Sequence, residues 1–401
     1  GYANYAEYSL ASKMAREPTE VLDFLRRLAA LSRPAAQREF AELEAFAGRR
    51  LEPWDIAFWS ERLKHARLDV SEEALRPYFP LPRVLEGLYT VIARLYGVRI
   101  AARDDVERYH PDARYYEVLD EHGAALAGFY VDPYARPDKR GGAWMDDCVG
   151  RMRLGGDAAQ PVAYLVCNFT PPVGTQPSLL THSEVVTLFH EFGHGLHHML
   201  TQVDYPSVAG INGVPWDAVE LPSQFMENFA WREEVLPLIS GHVETGAPLP
   251  RETLAKLQRT RSFQAGMHSV RQLEFGLFDL RLHAEYRPDA PLRLLETLAE
   301  VRAEVAVVPT IADNRLPHSF QHIFSGGYAA GYYSYKWAEV LSADAFGAFE
   351  EHGIFDPHVA DRFRHSILAR GGSRDAMEAF VEFRGREPAL EPLLRQLGLA
   401  A

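Results

Sequence analysis

His190-Glu191-Phe192-Gly193-His194 places two imidazoles and a carboxylate at spacings that suit one metal ion and one water. The pattern is H-E-x-x-H, the arrangement that holds a catalytic zinc on a helix. At about 100° per residue, His190 and His194 fall one above the other on the same face. Glu191 stands about 100° round from His190, where it reaches a water on the metal without being a ligand. The chemistry on offer is hydrolysis: two neutral imidazoles hold the ion and the carboxylate handles the proton. Five such residues also occur as ordinary helix residues, so the elements around them decide.

The helix that must carry the motif can be read at both ends. Thr181-His182-Ser183-Glu184 has the form of a capping box, with Thr181 as N-cap and Glu184 at N3. No proline interrupts the run to Leu200, and Pro206 lies beyond its end. Val185, Leu188, Phe189, Phe192, Leu196, Met199 and Leu200 form one broad apolar stripe. His190, His194 and His197 fall on the opposite side, which predicts imidazoles turned away from the buried face. Gly193 and Gly195 each cost about 1 kcal/mol of helix propensity relative to alanine, which predicts close approach of another backbone or a ligand.

A zinc held by two histidines needs a third protein ligand and leaves a fourth position open. His197 shares the stripe, but its Cα would lie about 10 Å along the axis from that of His190, too far for one ion. The next segment, 216–231, offers Glu220 and Glu227. Asp217 followed by Glu220 predicts a helix start there, with Pro222 distorting the first turns. Packed antiparallel on the motif helix, this segment brings one of its two glutamates to the metal, or leaves both as solvated helix carboxylates.

A third constellation spans 318–337, where Gly326, Gly327 and Gly331 mix with Tyr328, Tyr332, Tyr333 and Tyr335. The glycines permit positive φ and a mobile loop. Tyrosine hydroxyls can donate to the oxyanion formed when water attacks a peptide carbonyl. Tyr328, Tyr332 and Tyr335 recur at a spacing that puts them on one face of a helix leaving the loop. The same stripe also suits a packed aromatic core.

Together, 190–200 and 214–228 closely resemble the thimet oligopeptidase and neurolysin family of zinc metallopeptidases. Residues 1–10, 52–55, 75–80 and 141–145 match the family too, so the resemblance runs through nearly all of the chain. It implies a mainly α fold with a small β-sheet beside the active-site helix, that is, a zincin catalytic domain. It also implies one zinc per chain, with Glu220 as third ligand beside His190 and His194, and Glu191 as general base. The family's carbonyl-polarising tyrosines fall at Tyr328 and Tyr335. Its substrate-covering loop falls at Gly326 and Gly327, with Tyr332 and His322 near the substrate, although the spacing from His322 to Tyr328 differs by a residue among relatives.

The coarse pattern is helical over 1–110, a small β region over 111–170, and helical again over 171–401. Prolines 34, 53, 77 and 80 predict helix breaks in the first part. Residues 115–119 and 125–131 flank Asp120-Glu121-His122-Gly123 as a hairpin, and 162–169 reads as a further strand. Such a sheet can bind an extended peptide at its edge or merely pack under the helices.

With 401 residues and 47% hydrophobic content, the chain can bury one large core or two smaller ones. Asp and Glu outnumber Lys and Arg by 55 to 42, which argues against nucleic acid or an anionic membrane as partner. No run of about 18 apolar residues is present, which argues against a membrane span. Cys148 and Cys167 are the only cysteines, consistent with a reducing, cytoplasmic compartment. Relatives carry a helical region upstream that forms the opposite wall of a substrate channel. The resemblance therefore implies the catalytic C-terminal portion of a longer protein, with an exposed apolar wall and the missing N-terminal portion as a partner.

The leading expectation is a zinc endopeptidase acting on short peptides. Two other readings stand beside it: a peptidyl-dipeptidase releasing C-terminal dipeptides, and a zinc- or peptide-binding module that has lost catalysis.

Overall fold

The computed structural model describes residues 1–311 and 313–399. Helix Pro18–Ala47 runs straight through Pro34, so the break expected at that proline is corrected. The reason is tertiary. Gly266, on helix Ala265–Glu285, lets the backbone of Ala35 and Ala36 come so close that a Cβ there would lie 2.6 Å from the Ala36 nitrogen. Ser32 and Ser269 hydrogen-bond across the same contact, at 3.1 Å. Packing of small residues along both helices outweighs the one backbone bond that proline removes. Pro53, Pro77 and Pro80 do mark element boundaries, in two 3₁₀ turns and at the start of helix Leu81–Tyr96.

Among the described residues five strands form one sheet: β1 (Arg99–Arg103), β2 (Arg114–Leu119), β3 (Ala125–Tyr134), β4 (Trp144–Val149) and β5 (Val162–Phe169). Their order is β1-β2-β3-β5-β4, with β3 and β5 parallel and every other pair antiparallel. The β region thus begins at Arg99, ahead of the boundary at 111. The hairpin and β5 have the apolar pattern that the sequence displays. β1 and β4 are edge strands with charged or mostly exposed residues, and half-buried edges leave little periodicity to read.

One face of the sheet packs on the motif helix, His182–Met199. Phe129, Leu165, Phe189, Phe192 and Phe225 belong to a large apolar cluster that joins sheet, motif helix and the following helix. A second cluster is built from helices Tyr5–Leu10, Pro18–Ala47, Ala265–Glu285 and Leu294–Val305 with the segment around Tyr332 and Tyr333. Trp337, on helix Ser334–His352, packs against both. Among the described residues no helix is long and apolar enough to cross a membrane.

Candidate active site

The capping box forms as the sequence predicts. The Thr181 hydroxyl accepts from the Glu184 amide at 3.1 Å, and the Glu184 carboxylate accepts from the Thr181 amide at 2.7 Å. From Glu191 to Leu200 every residue is buried, so the expected split into a buried stripe and an outward imidazole side is corrected. The histidine side of the helix faces another helix, Leu221–Glu227, rather than solvent. Gly193 is what lets the two helices meet. A Cβ there would lie 2.4 Å from the Pro222 carbonyl oxygen and 2.5 Å from the Ser223 Cα.

Glu220 is delivered just before that helix, as its N-cap residue. The helix starts at Leu221 rather than at Asp217, which is fully buried and accepts from the amides of Met14 and Ala15 and from the Tyr333 hydroxyl. One Glu220 oxygen lies 3.3 Å from His190 Nε2 and 3.2 Å from His194 Nε2. All three donor atoms fall within 4.8 Å of one another. Edges of this length are those of a tetrahedron with arms of about 2.0 Å, the bond length of zinc to imidazole or carboxylate. The donor set therefore fits a metal ion, and the fit comes from this geometry alone.

Glu227 takes a different place. Its carboxylate accepts from His190 Nδ1 at 2.6 Å, which fixes the proton on that nitrogen and leaves the Nε2 lone pair for a metal. His197 is buried with neither ring nitrogen hydrogen-bonded, and lies outside the donor cluster. Burial pushes its pKa down to about 3, so the ring is neutral. Around the donors, burial opposes charge on both His190 and Glu220, yet their mutual attraction wins. His190 is held well above its ordinary range by Glu220 and Glu227, and Glu220 well below by the two imidazoles.

Glu191 lines the same cleft, of about 880 Å³, with His190, His194, Glu220, His322, Gly326, Tyr328 and Tyr335. Burial raises its carboxyl pKa above the usual value, which makes it a better proton acceptor than an exposed glutamate. Tyr328 and Tyr335 stack with ring centres 5.0 Å apart, and the Tyr328 hydroxyl donates to Glu220 at 3.1 Å. Burial is the first cause of the raised pKa of both phenols, which keeps them protonated donors. The single helical face expected for 328, 332 and 335 is corrected: the helix begins at Ser334, and the tyrosines before it lie on tight turns. Tyr332 does not line the cleft but stands behind its wall: it packs on Phe275 and Phe320 in the second cluster and donates to Gln272 at 2.9 Å, while its ring also meets His322 and Tyr335, with centres 5.8 and 5.3 Å away. Gly327 has φ +85° and faces Trp216, whose ring meets Tyr328 edge-on at 4.8 Å.

The sequence reading did not single out Trp216, Trp144 or Met145 as lining the cleft, although they do. Their only signal was the likeness of 141–145 and 214–228 to other proteins.

A helix bearing His-Glu-x-x-His, a small sheet beside it and a glutamate from the next segment define a zincin-type metallopeptidase fold. The chain belongs to Peptidase family M3, whose profile matches residues 1–399. It is 56% identical over 405 residues to Oligopeptidase A of Escherichia coli K12, covering 100% of this chain and 60% of that protein. Its identity to the Dipeptidyl carboxypeptidase of the same organism is 37% over 408 residues, with 100% and 59% covered. The chain thus spans about 60% of the length of these curated relatives. In fold it is similar to the M32 carboxypeptidase of Deinococcus radiodurans R1, with TM-score 0.57 at 14% identity, covering 99% of this chain and 69% of that one.

Proposed function

We propose that this chain is a zinc endopeptidase for short peptides, with one ion held by His190, His194 and Glu220. The observation that carries the reading is the donor triangle with Glu191 in the same cleft. A zinc ion there supplies Lewis acidity to a water and to the scissile carbonyl. Glu191 takes the proton of the attacking water and passes it to the leaving amine. Tyr328, in contact with the ligand carboxylate, and Tyr335, stacked on Tyr328, donate to the oxyanion as it develops. The substrate would lie along this cleft, whose lining includes His322, Gly326, Trp144 and Met145. The last two begin the edge strand β4, whose free backbone groups suit an extended peptide added as a further strand.

Endopeptidase action is favoured over release of C-terminal dipeptides by the nearer likeness to Oligopeptidase A. The test is digestion of a defined set of peptides by the purified chain, with and without chelator, and identification of products by mass. Internal cuts that stop on chelation support the reading. Dipeptides released only from C-termini would replace it with the other activity, and no cleavage with zinc bound would leave a binding protein. A cytoplasmic setting is supported by the two free cysteines.

A further inference from the structure

The segment from Tyr328 to Tyr335 has to present two phenols to the cleft, yet no regular element holds its first six residues. Ser9 donates to the Ala329 carbonyl at 2.9 Å, but the side chain that takes the segment's amides is Asp279, on helix Ala265–Glu285 and fully buried. One oxygen of its carboxylate accepts from the Ala330 amide at 2.9 Å; the other accepts from Gly331 at 2.8 Å and Tyr332 at 2.9 Å. His283, one turn along the same helix, lies 2.9 Å from the first oxygen. Three successive amides converge on one anion because Ala330 is left-handed, with φ +49°. This is the concave arrangement of backbone N–H groups that binds anions, here filled by the chain's own carboxylate. A non-glycine residue in that region is uncommon, and the carboxylate holds it there.

We infer that Asp279 is a positioning residue for the reaction, acting through the backbone of 330–332 to set where Tyr328 and Tyr335 stand. The inference rests on the functional reading above. Asp279 does not line the cleft and has no contact with the metal donors. Its influence reaches the phenols from between them: Tyr328 lies two residues before the first gripped amide, and Tyr335 three after the last. An asparagine has one acceptor oxygen and would turn N–H groups toward N–H groups, so Asp279→Asn releases the turn while nearly preserving volume.

The test is a double-variant cycle with a second readout. Asp279→Asn is expected to keep its zinc and lose about 10²-fold in kcat with KM little changed, the scale of a misplacement of about 1 Å. In a Tyr328→Phe/Tyr335→Phe background the same change should cost almost nothing more, because the groups it positions are gone. Equal fractional losses in both backgrounds, or full kcat in the single variant, would overturn the inference. Amide hydrogen exchange of the metal-free protein supplies the readout independent of turnover. Exchange at 330–332 should quicken in Asp279→Asn while the motif helix stays protected, and unchanged exchange there overturns the grip even if no peptide is cleaved. Inactivity of the unaltered chain would instead count against the functional reading. Where Asp279→Asn does not fold, Asp279→Glu, which keeps the charge but moves it by one methylene, enters the same cycle with the same expectations.

Discussion

Glu220 serves four neighbours at once: two imidazoles and the Ser223 hydroxyl on one oxygen and the Tyr328 hydroxyl on the other. Removing it should therefore do more than delete a ligand. Glu220→Ala is expected to lose its zinc, whereas His197→Ala keeps it, as metal analysis of the two purified variants would establish; the reverse pattern would move the third ligand to His197. Glu227→Gln should retain the metal but bind it about 10–100-fold more weakly, the usual cost of losing a carboxylate behind a ligating histidine, measured by competition with a chromogenic chelator. Glu191→Gln should stay metal-replete and lose about 10²–10⁴-fold in turnover, since an amide cannot accept the proton. Tyr328→Phe and Tyr335→Phe each remove an oxyanion donor worth roughly 2.7–4 kcal/mol, to be read in kcat rather than KM. Lower melting temperatures with turnover intact would make the two rings core residues only.

Elements decide whether those residues meet. Gly193→Ala is expected to destabilise the chain by about 1–3 kcal/mol or more, because its methyl would strike the backbone of Pro222 and Ser223. Gly195→Ala meets the Leu165 side chain at 3.0 Å, which can rotate aside, so thermal melts should rank it well below Gly193→Ala. The sequence announced that contact through two glycines in a helix, just as it announced the helix start through Thr181 and Glu184. Central strands were legible because they bury alternating or continuous apolar residues, and β1 and β4 were not because edges need neither. The passage through Pro34 depends on Gly266, more than two hundred residues away, and no local pattern carries it. Tyr332 was grouped with its neighbours by spacing, yet the turns before Ser334 send it into the second cluster. In the site, spacing puts His190 and His194 on one helix face with Glu191 beside them, and the fold brings all three into one cleft. Spacing left Glu220 and Glu227 open, and the family resemblance alone pointed to Glu220; in the fold both carboxylates reach His190, at different nitrogens.

At the scale of the whole molecule, the site lies on a boundary. His190, His194 and Glu220 are carried by elements of the first apolar cluster, while the turns between Tyr328 and Tyr335 are rooted in the second. Activity requires both clusters and their register, whereas most helical structure requires only that each persist. In a urea titration, peptide cleavage is expected to fall at a lower concentration than far-ultraviolet circular dichroism, with the metal still bound at the midpoint of the activity loss. Coincident curves would indicate that the two clusters unfold as one cooperative unit.

The contact at Gly193 has a mechanical side. Two backbones already touching cannot be pushed nearer, but nothing covalent prevents their parting. The compliance of the metal site is therefore one-sided: warming or swelling can lengthen the separation of Glu220 from the histidines, and compression cannot shorten it. Under hydrostatic pressure, the triangle of donor atoms should therefore hold its spacing.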